Sequence, residues 1–224
     1  MIPFKDDNPS ATFPIVTVSL IIINVAVFIF QLYLGKNNGY FIYNYGVIPA
    51  EIWGFKNIAH STEINPFLSI ITSMFLHGGY LHLIGNMLYL WIFGDNIEDT
   101  FGHFSFLIFY IICGIVGASF NIIFSPGSQI PMIGASGAIA GVLGAYILRY
   151  PFAKIHTLFI IIIFFKIFKL PALFVLGFWF FIQAMNSLPS IGYTGGQVAW
   201  FAHVGGFVAG FLIMLFYPKT KKIF

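Results

Sequence analysis

Four polar side chains stand within or at the ends of long apolar segments, and their types suit the chemistry of acyl transfer. Ser136 lies in the sequence Gly-Ala-Ser-Gly, and His203 lies in Ala-His-Val-Gly-Gly. His82 and Asn86 are four residues apart, so on a helix they share one face. Polar side chains inside lipid are costly, which indicates a function. A serine within reach of an imidazole base is an activated nucleophile, so the set resembles the parts of a serine hydrolase.

The helices that carry these groups have small residues where they would need to meet. Ser136 follows a glycine-rich loop and opens a helix, where unpaired backbone N–H groups favour negative charge and could stabilise an oxyanion. Small faces let helix backbones approach closely in membranes, and such an approach would bring the imidazole of His203 to the Ser136 hydroxyl. The small residues expected at this contact are Gly137, Gly141, Gly206 and Gly210.

Each group also has an ordinary structural interpretation when it is taken alone. A Gly-x-Ser-Gly sequence is common in apolar helices, and a histidine near a helix start is often an interfacial polar group. His82 and Asn86 would also suit an interhelical hydrogen-bond pair. A metal site of His77, His82 and His203 is a further alternative, although the zinc-protease pattern His-Glu-x-x-His is missing. The single cysteine, Cys113, fits a small apolar packing residue.

The composition places the chain in a membrane. It is 59% hydrophobic and 8% charged, with a mean hydropathy of +0.92, whereas soluble domains carry roughly 25% charged residues. No basic run is interleaved with aromatic residues at a water-exposed site, so a nucleic-acid partner is not expected. We predict an all-α polytopic membrane protein with one domain over 1–224 and short cytoplasmic tails at 1–12 and 218–224. The six candidate spans are 13–34, 80–95, 104–124, 133–149, 171–188 and 197–217.

The distribution of positive charge predicts that both termini are cytoplasmic. With six spans, Lys36 and Lys56 alone fall on the outer side, an asymmetry expected from the positive-inside rule. The apolar stretch 157–168 is too short for a span and favours an interfacial or re-entrant element, while a seventh span stays open. The basic residues on the inner side are Lys5, Arg149, Lys154, Lys166, Lys169, Lys219, Lys221 and Lys222.

This topology also predicts that the four polar side chains converge. With the amino terminus inside, the second, fourth and sixth spans all run from the outer to the inner side. His82 and Asn86 open the second span, Ser136 opens the fourth, and His203 lies one to two turns into the sixth. The four side chains therefore fall at a similar depth, just below the outer surface.

At this point the chain resembles the rhomboid family of intramembrane serine proteases. The resemblance extends over about residues 13–217, and Trp179 before the last span adds to it. Its motifs occur in family order: residues 75–87 (FLHGGYLHLIGNM), 94–98 (GDNIE), 134–141 (GASGAIAG) and 202–206 (AHVGG) through Gly210. A six-helix rhomboid-like bundle is the fold that this resemblance implies.

The resemblance also implies roles for the matching residues. Ser136 is expected to be the nucleophile and His203 its general base, in a dyad with no acidic third member. His82 and Asn86 are expected to form the oxyanion hole with the Ser136 backbone N–H. The implied reaction is hydrolysis of a peptide bond in or near a transmembrane segment of a membrane-protein substrate, close to the outer leaflet. No metal or cofactor is implied.

Two departures from the family pattern and two rival functions remain. The outer loop reads Asn65-Pro66-Phe67-Leu68 where members often carry Trp-Arg, and Ala140 stands where some members place an aromatic residue on the catalytic histidine. One rival is a catalytically silent rhomboid-like protein that binds membrane clients, and the other is a small transporter or channel. The absence of a targeting extension favours a prokaryotic plasma membrane.

Overall fold

The computed structural model describes residues 2–55, 58, 62–161, 164–191 and 198–218, and the side chains of 160, 161 and 164 are not part of that description. Most of the chain is helical, and short 3-10 turns follow three of the helices. The helices are α1 (Ile15–Tyr33), α2 (Asn38–Tyr45), α3 (Pro49–Ile52), α4 (Pro66–Thr72), α5 (Tyr80–Phe101), α6 (His103–Phe124), α7 (Ser136–Arg149), α8 (Ala172–Ser187) and α9 (Trp200–Phe216), and the strands are β1 (Ile2–Asp6), β2 (Lys154–Ile161) and β3 (Phe164–Pro171).

Six of these helices, α1 and α5 to α9, coincide with the six predicted spans. Within the described residues, three helices are long and apolar enough to cross a membrane, and a fourth results if α4 and α5, bent by 81°, form one broken span. Helices α7 and α9 have 14 and 17 residues. At about 1.5 Å per residue, α7 covers roughly 21 Å, less than a hydrocarbon core of roughly 30 Å. The protein is embedded in the membrane by several spans, and the number six stays a prediction.

Helix α7 forms the centre of the molecule, with every residue from Gly137 to Ile147 buried. Helix α9 lies against it at backbone distance. A Cβ atom added to Gly206 would lie 1.9 Å from the carbonyl oxygen of Gly137, and one added to Gly210 would lie 1.9 Å from that of Gly141. A side chain larger than hydrogen therefore cannot fit at either α9 position without moving a backbone. At Gly137 itself the nearest atom would be 3.5 Å away, an ordinary contact.

The chain is mostly helical, as predicted, but it is not all-α, because β1, β2 and β3 form an antiparallel sheet in that order. The described residues of the stretch 157–168, namely 157–161 and 164–168, belong to the hairpin strands β2 and β3 and not to a helical seventh span. Lys154 pairs with Pro171 at the base of the hairpin, so the chain leaves and returns at one place. Strand β3 contains three phenylalanines and an isoleucine, residue types that favour strands. The amino-terminal segment 1–12 is not a free tail, since Ile2 pairs with Leu158.

Acidic residues at the end of α5 hold the start of α1. The buried carboxylate of Glu98 accepts hydrogen bonds from the backbone N–H groups of Val16 (2.9 Å) and Thr17 (2.7 Å). Asp99 accepts from the N–H of Thr12 at 3.0 Å. Unpaired N–H groups and the helix dipole both favour negative charge at a helix start. Glu98 of the 94–98 motif and the neighbouring Asp99 thus attach the amino-terminal segment to the bundle.

Asp7 links the first strand to the hairpin through charge. Its carboxylate accepts hydrogen bonds from His156 Nε2 at 2.6 Å and from Lys169 Nζ at 3.3 Å. The bond from His156, followed by that from Lys169, lowers the pKa of Asp7 below its ordinary 3.8, whereas burial raises the pKa of Asp6. A carboxylate whose pKa is lowered by folding stabilises the folded state above its unfolded pKa, and this contribution is lost as the pH falls through the folded value.

We therefore expect the amino-terminal strand to loosen when the pH falls below about 4, the region of an unperturbed aspartate. The measurement is the mobility of a spin label at Ile2→Cys, followed by electron paramagnetic resonance. The same label in an Asp7→Asn background should be more mobile at neutral pH and less sensitive to acid. Equal mobility in the two backgrounds at neutral pH would contradict this role for Asp7.

Candidate active site

A half-open cavity of about 690 Å³ lies between α5, α7, α8 and α9 and contains all four polar side chains singled out from the sequence. His82 and Asn86 come from the first turns of α5, Ser136 from the first residue of α7, and His203 from the first turn of α9. The loop between α6 and α7 lines part of the cavity with Ser125, Ser128 and residues 130–133. The helix starts therefore face one shared space, as their common direction predicts.

Ser136 and His203 are in hydrogen-bond contact, with 2.8 Å between Ser136 Oγ and His203 Nε2. The close approach of α7 and α9 produces this distance, because the backbone contact at Gly206 involves the residue that follows Ser136. The ring of Trp179 lies tilted beside the imidazole, with 5.9 Å between centroids, and the ring of Trp200 meets it edge-on at 6.2 Å. On its other side, His203 Nδ1 is 2.7 Å from the side-chain oxygen of Gln183.

Donors from α5 converge beside the Ser136 loop. The backbone N–H of Gly78 donates to His82 Nδ1 at 3.3 Å, so a neutral ring carries its proton on Nε2. A Cβ atom built on Gly134 would lie 2.7 Å from that Nε2 and 3.6 Å from Asn86 Nδ2. Gly134 also has a φ of +122°, which side-chain-bearing residues rarely adopt. Two N–H donors thus point at the loop segment that leads into the serine.

The site is thus a Ser–His pair with side-chain donors beside it, in a membrane-embedded helix bundle. The model of the Rhomboid domain family matches residues 65–220. The chain belongs to the rhomboid family.

This rhomboid is similar to proteins from plants, fungi and bacteria. It is 32% identical over 157 residues to RHOMBOID-like protein 6, mitochondrial, of Arabidopsis thaliana, and 32% identical over 161 residues to Rhomboid protein 1, mitochondrial, of Saccharomyces cerevisiae. It is 35% identical over 157 residues to the rhomboid protease GluP of Bacillus subtilis. The three matches cover 67%, 69% and 67% of this chain, and 45%, 43% and 26% of those relatives, less than half of each. Two of the three names are mitochondrial, so these relatives do not support a prokaryotic plasma membrane for this chain.

The structure of this rhomboid adds contacts that sequence reasoning did not predict. Gln183 contacts the histidine of the pair, and Trp200 packs against the same ring. The Nε2 atom of the buried His77 lies 3.0 Å from Asn86 Nδ2. The side chain of Gln31 forms hydrogen bonds with both the backbone N–H and the backbone carbonyl of His77, each at 3.0 Å. The sequence did contain a signal for Gln183, because it is a polar amide inside an otherwise apolar span. Polar side chains in such positions indicate a function, as was argued for Ser136.

The two departures from the family pattern have structural explanations. Ala140 is fully buried in α7, and the aromatic ring beside His203 comes instead from Trp179 of α8. Asn65 and Pro66 begin the short helix α4, where the side-chain oxygen of Asn65 accepts from the Phe67 N–H at 2.9 Å. This is an ordinary helix cap with proline in the first turn.

Metal-ligating side chains are not clustered in the part of the chain that the structure describes, where no group of three or more His, Cys, Asp or Glu side chains could hold a metal ion. His77, His82 and His203, which the sequence left open as a metal site, are among the residues covered. The rings of His77 and His82 lie 5.0 Å apart in an edge-on contact, and His203 faces Ser136 instead.

Proposed function

We propose that this rhomboid is an intramembrane serine endopeptidase that cleaves transmembrane segments of membrane proteins near the outer leaflet. In this proposal Ser136 is the nucleophile and His203 the general base. His82, Asn86 and the Ser136 backbone N–H form the oxyanion hole. The observation that carries it is the 2.8 Å contact between Ser136 Oγ and His203 Nε2 inside the shared cavity. One of the similar proteins is the rhomboid protease GluP, and this similarity supports the same class of reaction.

The reaction follows from the positions of these groups. His203 Nε2 takes the proton of Ser136 as Oγ attacks the scissile carbonyl carbon. The carbonyl oxygen becomes an oxyanion that accepts hydrogen bonds from the donors beside Gly134. When the intermediate collapses, the C–N bond breaks and the imidazolium returns its proton to the leaving amine. A water molecule, deprotonated by the same imidazole, then hydrolyses the acyl-enzyme and restores Ser136.

The contact between β1 and β2 supports the proposed six-span topology. Paired strands lie on one side of a membrane, so the chain between Asp6 and Lys154 must cross it an even number of times. Helices α1, α5, α6 and α7 provide four crossings, and α8 with α9 returns the carboxyl end to the side of the sheet. The sheet lies at the carboxyl end of α7, and Ser136 is at its other end. A cytoplasmic sheet therefore corresponds to a cavity near the outer leaflet. The basic residues Lys56, Lys219, Lys221 and Lys222, which also entered the topology argument, lie outside the described residues.

A single packed core supports the proposal of one membrane domain. Buried residues from α1, α5, α6, α7, α8 and α9 and from the hairpin belong to one cluster. A substrate helix must unwind locally to present a carbonyl to Ser136, because carbonyls inside a helix are already hydrogen-bonded. The proposed substrates are therefore membrane proteins with helix-breaking or small residues near the outer leaflet. In this proposal the helix bundle is surrounded by the lipid bilayer, which is its second partner.

The test is labelling of the purified protein in lipid vesicles with a fluorophosphonate probe, combined with cleavage of a reporter protein that has one transmembrane segment. We expect an adduct mapped by mass spectrometry to Ser136 and a cut within or next to the reporter segment. A folded protein that forms no adduct and leaves the reporter intact would overturn the proposal. That outcome would favour the client-binding alternative, and binding of the uncut reporter would then be measured.

Loss of the Asn86 amide tests the oxyanion hole separately from the nucleophile. We expect Asn86→Ala to lower both cleavage and probe labelling about 10²- to 10³-fold, the usual effect of removing one such donor. Initial rates in vesicles provide the measurement. Asn186→Ala is the matched control, since Asn186 is an exposed amide on α8 that bonds the Ile182 carbonyl of its own helix. An Asn86→Ala variant with the parent rate would remove Asn86 from the proposed hole.

A further inference from the structure

Gln183 occupies the position beside the histidine that an acidic residue holds in a three-membered serine hydrolase site. Its side-chain oxygen lies 2.7 Å from His203 Nδ1, and only 6% of the residue is exposed. It belongs to α8, one turn after Trp179, whose ring lies beside the same imidazole. Residues four apart share one helix face, so α8 presents both an acceptor and an aromatic wall to His203.

The contact determines which nitrogen of the imidazole carries the proton. An amide oxygen only accepts hydrogen bonds, so the Nδ1 that it contacts must be the N–H donor. A neutral imidazole has one N–H, which leaves Nε2 with a free lone pair. That lone pair faces Ser136 Oγ at 2.8 Å and can take the hydroxyl proton. With the opposite tautomer, Nε2 would donate to the serine and could not act as its base.

We propose that Gln183 is a positioning residue that fixes the tautomer and orientation of His203, an inference that rests on the proposed protease function. The neutral amide of Gln183 stands where a three-membered serine hydrolase site has a carboxylate. A buried carboxylate loses its hydration and is costly in a membrane-embedded bundle, whereas a hydrogen-bonded amide carries no net charge. Gln183 therefore supplies the orienting bond without a second ionisable group beside the imidazole.

The experiment compares Gln183→Leu, which removes the acceptor, with Gln183→Glu, which retains an oxygen at the same reach. Residues that orient an imidazole through its second nitrogen typically contribute about 10- to 100-fold in analogous metal sites. We expect Gln183→Leu to lower kcat for the reporter by that factor with KM changed less than about twofold, and Gln183→Glu to restore most of the loss. Gln183→Met, which matches glutamine in length, replaces the leucine variant if that variant does not fold.

A matched control distinguishes positioning from a general loss of a buried amide. Asn24 is a fully buried amide on α1 whose Nδ2 donates to the Leu20 carbonyl of its own helix. Asn24→Leu should keep the kcat of the parent, measured on protein with the same folded fraction. A kcat for Gln183→Leu equal to that of the parent, or a Gln183→Glu variant as slow as Gln183→Leu, would overturn the proposal.

The tautomer itself is measurable without catalysis, by nitrogen-15 NMR of histidine-labelled protein. We expect the parent His203 to show a protonated Nδ1 and an unprotonated Nε2, and Gln183→Leu to show a mixture of the two tautomers. An unchanged His203 signal in Gln183→Leu would overturn the inference. If the parent has the expected tautomer but neither labels nor cleaves, the protease proposal fails while the contact of Gln183 with His203 stands.

Discussion

Ser136→Ala is expected to abolish fluorophosphonate labelling and to lower reporter cleavage about 10⁴-fold or more, because no other group replaces an activated nucleophile. His203→Ala should have a comparable effect, since it removes the imidazole that lies within hydrogen-bond reach of Ser136. The two residues act as a unit, so the double variant should be no slower than the slower single one. Initial cleavage rates in vesicles and the labelled fraction are the measurements.

The control for this experiment is another serine of the bundle. Ser119 is half-buried on α6, and its hydroxyl donates to the Ile115 carbonyl at 2.8 Å. Ser119→Ala should label and cleave as the parent does. An adduct that persists in Ser136→Ala would show that a different side chain reacts, and multiplicative rate losses in the double variant would show that the pair does not act as a unit.

Gly206→Ala is expected to eliminate activity although it changes no group that takes part in the reaction. The new Cβ would lie 1.9 Å from the carbonyl oxygen of Gly137, a backbone atom that cannot rotate away. Helices α7 and α9 must therefore separate, and the 2.8 Å contact of Ser136 with His203 is lost with them. Overpacked cores lose about 1–3 kcal/mol, and a clash between two backbones belongs at the upper end of this range or beyond it.

Thermal unfolding in detergent and probe labelling measure the two parts of this effect. Gly177→Ala on α8 is the matched control, because its nearest neighbour would be 3.9 Å away, an ordinary van der Waals distance. It should unfold at a temperature close to that of the parent and keep full labelling. Parent-like labelling of Gly206→Ala would mean that the distance between α7 and α9 does not determine the activity of the pair.

The convergence of the four polar side chains could be predicted because it depends on direction and spacing alone. Helices that enter the membrane from one side place their first turns at one depth, and a separation of four residues puts His82 and Asn86 on one face. Small residues also predicted where α7 and α9 approach. The 2.8 Å distance could not be predicted, since it depends on the rotation of each helix about its own axis.

The sheet and the contact of Gln183 with His203 could not be predicted from direction and spacing. A short apolar run such as 157–168 has no periodicity that separates a strand from a buried helix. The strand β1, which pairs with β2, is about 150 residues earlier in the sequence, so no local pattern predicts the pairing. Gln183 was identifiable as a polar residue in an apolar span, but its separation of 20 residues from His203 gave no reason to place the two side chains together.

The pairing of the first strand with the hairpin has a consequence for synthesis of the chain. Residues of β1 leave the ribosome well before those of the strand they join, because β2 begins only at Lys154. At about 5–20 residues per second, β1 waits roughly 8–30 s for its partner. Glu98 and Asp99 emerge earlier and can capture the start of α1 in the meantime. The amino-terminal segment can therefore dock in two stages, and the second cannot occur before α1, α5, α6 and α7 have been translated.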